Sequence, residues 1–324
     1  MRAQAAAPEG LLRELRGAFT ALALAVCGVL IAVSYDFGIP GQALLQSLRF
    51  HIAAALLGLA VLLFVGGAWR SAWLFVFAFA ISTGQGAAIV YHQQEVRLSL
   101  AGRPSQPLLK LLSFNLLSTN PNGEELARFI AGSGVDVAVL MEAAPIADHN
   151  AILQASYPYY AGCDDGSRCG GVVILSRTPL ADITVRSMSG VWQNRLVTAS
   201  TTIAGQRVNI VAAHLVKPYF DDFAAEELSR LGAVVDGLEG PLVLAGDFNA
   251  AAWSDSIDAL VRRRHLAPGP FYPATWPVRL GPLGVPIDNI FARGPLVIDT
   301  VSAIADPMGS NHRGLMAEIR VTEE

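Results

Sequence analysis

Charge is scarce in this chain. Of its 324 residues only 15% are Asp, Glu, Lys or Arg, against 52% hydrophobic, where an ordinary soluble domain carries roughly 25% charged residues. The mean hydropathy is +0.43. A shortage that deep cannot be spread evenly over a water-facing surface, and it excludes a disordered chain, a coiled coil and a collagen-like fibre. Cysteine is scarce too, three residues in all, and no second Cys/His pair stands at the spacing of a zinc site. A basic stripe is also missing. From residue 95 onward the chain holds 18 Lys and Arg against 24 Asp and Glu, a net charge of −6. Tight binding to a phosphate backbone leaves a basic footprint, so nucleic acid is disfavoured as a partner. The one basic cluster, Arg262-Arg263-Arg264, reads as a helix end.

The apolar excess sits at the front. Residues 17–35, 52–69 and 71–91 carry no charge, and each run approaches the ~20 residues that a helix needs to cross a bilayer core. Tyr35, Trp69, Trp73 and Tyr91 fall at the run ends, where an aromatic ring sits at headgroup level. The reading is a membrane domain over 1–92 with three transmembrane helices. A cleaved signal peptide would be followed by a soluble chain, not by two further runs. Arg2, Arg13 and Arg16 precede the first run and Arg70 separates the second from the third. The positive-inside rule then places the amino terminus in the cytoplasm, the chain in the cell (inner) membrane, and everything after the third span on the extracytoplasmic side. Cys163 and Cys169 bracket a short polar segment. In an oxidising compartment the pair closes as a disulfide; otherwise it is two loop thiols.

Residues 93–107, with Pro104 and Pro107, read as a linker, and 108–324 as one soluble domain. Short apolar runs at 108–112, 135–141, 171–175, 196–203, 208–213, 242–245, 287–292, 296–301 and 315–321 read as strands. Helices are expected over 124–133, 147–155, 223–238 and 254–263, the last with Ser254 as its N-cap. Many strands, hairpin connections and few helices indicate a mixed α/β sandwich, not a doubly wound parallel sheet.

Polar residues interrupt these strands at their ends. Asn115 closes Leu-Leu-Ser-Phe-Asn, Glu142 closes Val-Ala-Val-Leu-Met-Glu, and His214 follows Val-Ala-Ala. Asp247 and Asn249 stand in Gly-Asp-Phe-Asn-Ala, Asp288 in Ile-Asp-Asn-Ile-Phe, and Asn311-His312 in Gly-Ser-Asn-His. Singly, a strand-end Asp or Asn is a turn former. In this order, and with Gly-Val-Val-Ile-Leu-Ser-Arg177 between them, they resemble the endonuclease/exonuclease/phosphatase superfamily of DNase I-like nucleases, sphingomyelinases and inositol-polyphosphate phosphatases. The motifs span about residues 108–321. The three amino-terminal runs resemble its membrane-anchored branch, which includes glycopeptide-resistance proteins.

The resemblance implies a two-sheet, four-layer α/β sandwich behind three transmembrane helices, and phosphoester hydrolysis with Mg²⁺ or Mn²⁺. Asn115, Glu142 and Asn311 would hold the metal, and Arg177 would touch substrate. His312, oriented by Asp288, would be the general base, with Asp247 orienting the attacking water or binding metal. Asn249 would donate to the phosphoryl oxygen and His214, as imidazolium, would stabilise its charge or help the leaving oxygen. The family's usual Asp before the terminal His is Asn311 here, which removes one negative charge from the site. The expected activity is that of a membrane-anchored phosphoesterase acting outside the cytoplasm on a lipid-linked phosphate or pyrophosphate. Its alternatives are an extracytoplasmic nuclease and a non-catalytic protein that sequesters a phosphorylated lipid.

Overall fold

A computed structural model describes residues 8–35, 37–38, 41–162, 171–219 and 222–323. The Cys163–Cys169 segment lies outside the described residues. The chain opens with four helices, α1 (Pro8–Ser34), α2 (Gln42–Ser47), α3 (Arg49–Val65) and α4 (Trp69–Ala101). The first strand and helix of the domain are β1 (Ser105–Asn115) and α5 (Gly123–Gly132), followed by β2 (Val137–Met141), α6 (Asn150–Gln154), β3 (Tyr159–Ala161) and β4 (Val173–Ser176). Next come β5 (Leu180–Arg186), β6 (Leu196–Ile203), β7 (Gln206–His214), α7 (Phe223–Asp236), β8 (Leu242–Asp247) and α8 (Asp255–Arg263). The chain closes with β9 (Ala267–Pro268), β10 (Asp288–Arg293), β11 (Leu296–Ala303) and β12 (Leu315–Thr322).

The front helices form an up-down-up bundle. Arg49, at the start of α3, donates to Val33 O near the end of α1 at 2.8 Å. At the other end Arg16 of α1 lies against the Gly66-Gly67 turn that joins α3 to α4. Two of the helices are long and apolar enough to cross a membrane, over Gly10–Ser34 and Trp69–Ala101, and only 17% of each apolar window is buried inside the protein. A core helix of a soluble domain would be mostly covered. The expected middle span is the exception: α3 has 17 residues, about 25 Å at 1.5 Å each, short of a ~30 Å hydrocarbon core. The third run extends instead of ending near 91. Helix α4 continues to Ala101, so most of the expected linker over 93–107 is helix.

The remainder is two six-stranded sheets, in the orders β11-β12-β1-β2-β4-β3 and β5-β6-β7-β8-β10-β9. Strands such as Val137–Met141 are buried along their whole length, and their continuous apolar runs follow from being covered on both faces. One face of each sheet meets the other sheet through Leu111, Val139, Ile210 and Ile290. The opposite faces pack against α5 and α6 through Phe114 and Leu126, and against α7 and α8 through Leu231 and Leu260. The result is a helix–sheet–sheet–helix sandwich, as the strand and helix pattern implied. Three strands were not legible: β3, β5 and β9. β5 carries a mostly exposed edge pattern that offers no clean alternation.

Strand pairing assembles the polar ends. Parallel β7 and β8 place His214 opposite Asp247, and antiparallel β10 places Asp288 opposite the same Asp247. Parallel β1 and β2 bring Asn115 beside Met141, one residue before Glu142. Gly246 is what lets β7 and β8 close here. Its φ is +152°, and an added Cβ would stand 1.8 Å from Ala213 O. Gly246→Ala is expected to cost about 3 kcal/mol through backbone strain and displacement, lowering Tm by roughly 10 °C in a thermal melt.

Candidate active site

The strand ends converge on one buried cluster. His312 Nδ1 stands 2.8 Å from Asp288 Oδ2, and its Nε2 faces Asp247 Oδ2 at 3.8 Å. His214 Nε2 approaches the same Asp247 oxygen at 3.6 Å and Glu142 at 4.0 Å. Asn115 Nδ2 donates to Asp247 at 3.0 Å and to Glu142 at 3.4 Å. Asn249 N donates to Asp247 Oδ1 at 2.8 Å, and its amide nitrogen gives a hydrogen bond to Leu215 O at 2.7 Å, leaving a second N–H. The loops are held in unusual backbone: Glu142 has φ 52° and Asn249 φ 50°, a left-handed conformation that recurs at functional sites.

These contacts set protonation. Burial disfavours the charged form of His312, but the carboxylates of Asp288 and Asp247 outweigh it, and the imidazole is pushed up to about 9. His214 goes the other way. Burial, aided by the Arg195 guanidinium and opposed by Asp247, pushes it down to about 4. The expected imidazolium at His214 is therefore corrected to a neutral ring near pH 7. Burial also works against ionisation of Glu142, yet the Ser118 N–H, His214 and the Asn115 amide overcome it and hold this carboxyl below its usual range. Asp247 is raised by burial and by the neighbouring Asp288 carboxylate. In a proton NMR titration of the metal-free protein, the His312 ring is expected to titrate near 9. Asp288→Asn removes the anion that favours the charged ring, so its midpoint must fall.

The residues present suit a hard divalent cation. Asp247, Asp288 and His312 offer ligand atoms within 4.8 Å of one another. Asp288 Oδ1 is buried without a hydrogen-bond partner, and oxygen-rich sets of this kind favour Mg²⁺ or Mn²⁺. Asn115 departs from expectation, since it turns its amide nitrogen toward the carboxylates while its oxygen accepts from Leu117 N at 3.0 Å. Binding metal through that oxygen requires the amide to turn over.

Two expected site residues are not brought in. Arg177 follows β4, whose antiparallel pairing sets Ser176 against Val137. It therefore lies at the opposite end of β2 from Glu142, exposed, over the Tyr157 ring at 5.7 Å. Asn311 is exposed, and its backbone carbonyl accepts from Val278 N at 3.3 Å. In its place Ser310 braces the loop, donating to Asn115 O at 2.7 Å and accepting from His312 N at 3.0 Å. Sequence reasoning missed Arg195. Its carbonyl accepts from His214 N at 2.9 Å, and its guanidinium lies over Trp192 at 4.8 Å, close enough to act on Glu142 and Asp247. Thr275 was missed as well; its hydroxyl accepts from Asp288 N at 3.2 Å.

A four-layer α/β sandwich whose strand ends and adjoining loops carry an Asp–His pair beside further carboxylates and amides defines a DNase I-like protein. The chain belongs to the Endonuclease/Exonuclease/phosphatase family, whose sequence model matches residues 112–312. Members of this family are hydrolases that act on phosphoesters and use divalent metals. An endonuclease/exonuclease/phosphatase from Beutenbergia cavernae superposes with a TM-score of 0.54 at 21% identity, covering 67% of this chain and 72% of the other. Sphingomyelinase C from Streptomyces griseocarneus superposes with 0.50 at 20% identity, over 66% and 99%. A Staphylococcus aureus beta toxin mutant with bound magnesium ions does so with 0.50 at 20% identity, over 65% and 99%. No curated protein matches the chain.

Proposed function

We propose that this chain is a membrane-anchored, divalent-metal-dependent phosphoester hydrolase whose substrate is a lipid-linked phosphate or pyrophosphate. The observation that carries the hydrolase reading is the buried Asp288–His312–Asp247 line, with Nδ1 committed to Asp288 at 2.8 Å and Nε2 facing Asp247. With Nδ1 engaged, Nε2 is the atom that can take a proton from water. That water's oxygen bonds to phosphorus as the ester P–O bond breaks; the departing oxygen takes a proton from solvent, and His312 releases the one it took back to solvent. Asn249 offers its spare N–H, and neutral His214 a ring N–H, to charge developing on the phosphoryl oxygens. Glu142, Asp247 and the free oxygen of Asp288, with Asn115 once its amide turns over, would hold the cation, which when bound supplies Lewis-acid polarisation of the phosphate, leaving His312 Nε2 for the proton.

The membrane reading rests on the apolar bundle and on where it ends. In an up-down-up bundle the amino terminus and the catalytic domain leave from opposite ends, so a spanning bundle puts the domain across the membrane from Arg13 and Arg16, extracytoplasmic under the positive-inside rule. The lipid substrate rests on the domain's seat against the bundle. Trp253, four residues after Asn249, donates to Gln46 O of α2 at 3.1 Å, and Ala251 N donates to Ser47 Oγ at 2.9 Å.

The test is an assay of the purified full-length protein in detergent with Mg²⁺ or Mn²⁺. Lipid phosphates and pyrophosphates are compared with single- and double-stranded DNA. Phosphate release from lipids, lost with chelator, is the expected result. DNA cleavage alone would make the chain a nuclease, and no hydrolysis of any phosphoester would leave a binding protein.

A further inference from the structure

A cavity of about 400 Å³ lies where the bundle meets the domain. One wall is Gly38, Gly41 and α2, with Ala43; the facing wall is α7 and α8, with Ala224 and Ala259. Leu215 and Phe248 line it as well. We propose that this cavity takes the apolar chain of the lipid whose phosphate is cleaved at the catalytic cluster, an inference that rests on the lipid-phosphate reading above.

Three observations point to that occupant. First, the cavity and the catalytic cluster are built on the same strand ends. Leu215 directly follows His214, Phe248 sits between Asp247 and Asn249, and the Asn249 amide ties the two segments together at Leu215 O. Adjacent residues are about 3.8 Å apart and point to opposite sides of a strand, so a chain leaving a phosphate at the cluster reaches the cavity by passing round the ends of β7 and β8. The volume also falls within the ~300–1,000 Å³ of ordinary small-molecule sites.

Second, the charge of the lining selects the apolar end of such a lipid. Among the described residues lining the cavity are Asp222 and Asp255 and no Lys, Arg or His. An anionic phosphate is repelled there. The polar side chains Gln42 and Gln46 are buried and already occupied: Gln42 donates to Ala32 O at 2.7 Å and Gln46 to Asp255 Oδ2 at 2.5 Å. Around the two carboxylates the lining is largely apolar, with Ala43, Ala224, Leu228, Phe248 and Ile257.

Third, the surroundings are apolar and exposed. Phe37, Leu44 and Leu45 from the bundle and Tyr219 and Phe223 from the domain all stand at least 39% exposed. Leu44 and Leu45 belong to α2, whose Gln42, Ala43 and Gln46 line the cavity, and Tyr219 lines it from the domain side. Exposed apolar patches of this kind mark contact with a membrane or an apolar ligand.

The test uses full-length protein in lipid nanodiscs and a phosphatidic acid carrying a diazirine midway along one acyl chain. After photolysis, labelled peptides are mapped by mass spectrometry in the wild type and in His312→Ala. Labelling within residues 215–228 and 250–259 is the expected result. Labelling confined to the outer face of the bundle, over residues 11–31 and 61–81, overturns the proposal. Ala224→Trp fills the cavity from the domain side and Ala43→Trp from the bundle side. Each is expected to lower labelling of those peptides about tenfold, a loss of roughly one decade in occupancy, with Tm within a few degrees of wild type. Unchanged labelling in a folded filled variant also overturns it. Because crosslinking needs no turnover, a protein that hydrolyses nothing yet labels at the cavity refutes the enzyme reading and leaves the lipid site standing.

Discussion

His312→Ala lowers kcat for phosphoester hydrolysis by about 10³-fold, with KM changed little. That is the expected result, and it follows from how the ring is held. General acid–base groups contribute roughly 10²- to 10⁴-fold, and His312 is placed in the middle of that range by two fixed contacts and its burial. Asp288 binds Nδ1 at 2.8 Å, Ser310 Oγ accepts the backbone N–H at 3.0 Å, and the side chain is buried. Asp288→Asn keeps the shape but removes the anion, so its loss should be smaller and its pH–rate profile displaced toward acid. The alkaline position of the profile is itself diagnostic. With the ring pushed up to about 9 in the protein alone, the neutral base is a minor species near pH 7, and the rate should climb with pH. A cation on the adjoining carboxylates opposes that shift, so the climb moves to lower pH as metal is added. Stopped assays of both variants from pH 6 to 10 would decide. An alanine variant within tenfold of wild type removes His312 from the chemistry.

The second large effect concerns the cation. Chelation is expected to abolish hydrolysis, and adding Mg²⁺ or Mn²⁺ back is expected to raise Tm. The reason is electrostatic crowding: Asp247 and Asp288 lie opposite each other on paired strands, both buried, and Asp247 is raised partly by its neighbour. A divalent cation relieves that repulsion and adds its own binding energy, about 2.7 kcal/mol at a hundred times its Kd. Glu142→Gln should weaken the metal-dependent rise in Tm and lower the rate by about 10²-fold. Asn311→Asp makes a useful contrast. The exposed position of Asn311 predicts little change in metal dependence, whereas a true ligand would gain affinity from the added charge. Differential scanning fluorimetry across a metal titration reads all three proteins.

Much of this site was legible before any coordinates because its residues interrupt apolar strands at their ends. His214, Asp247 and Asp288 stand out for that reason, and strand register then brings them face to face. Arg177 shows the limit of the same reasoning. It also follows an apolar strand, but β4 runs antiparallel to β2, and a run of Val, Ile and Leu does not reveal its direction. Arg195 was hidden by an exposed, irregular lead-in, Val191 to Asn194, with no pattern to place it. Tertiary contacts also overrode local signals. Ser254 occupies the N-cap position of α8, but its hydroxyl makes no capping bond. Asp255 N instead donates to the side chain of Gln46 at 3.1 Å, some two hundred positions earlier. Arg264 belongs to the basic cluster read as a helix end, and it does serve one, but the helix is α7: it donates to Gly232 O at 3.0 Å. The front of the chain reads as three spans, whereas length sets the middle one apart, since α3 has only 17 residues. Polar residues such as Gln46, Ser47 and Gln93 mark the side that meets protein.

Those glutamines bear on how the molecule can be divided. Gln93 of α4 donates to Ala252 O at 2.8 Å and to Asp258 at 2.9 Å, and Gln94 donates to Gly269 O at 2.8 Å. Phe50 stacks edge-on against Trp253 at 4.9 Å. Removing residues 1–102 to obtain a soluble enzyme would strip the first turn of α8 of its cap and bare Trp253, Val285 and Ile287 to water. The segments thus loosened are the ones that carry Asn249 and Asp288. A shortened protein of this kind would fold with its catalytic residues poorly held, so a weak soluble fragment would report on the missing scaffold and not on the chemistry of the intact enzyme.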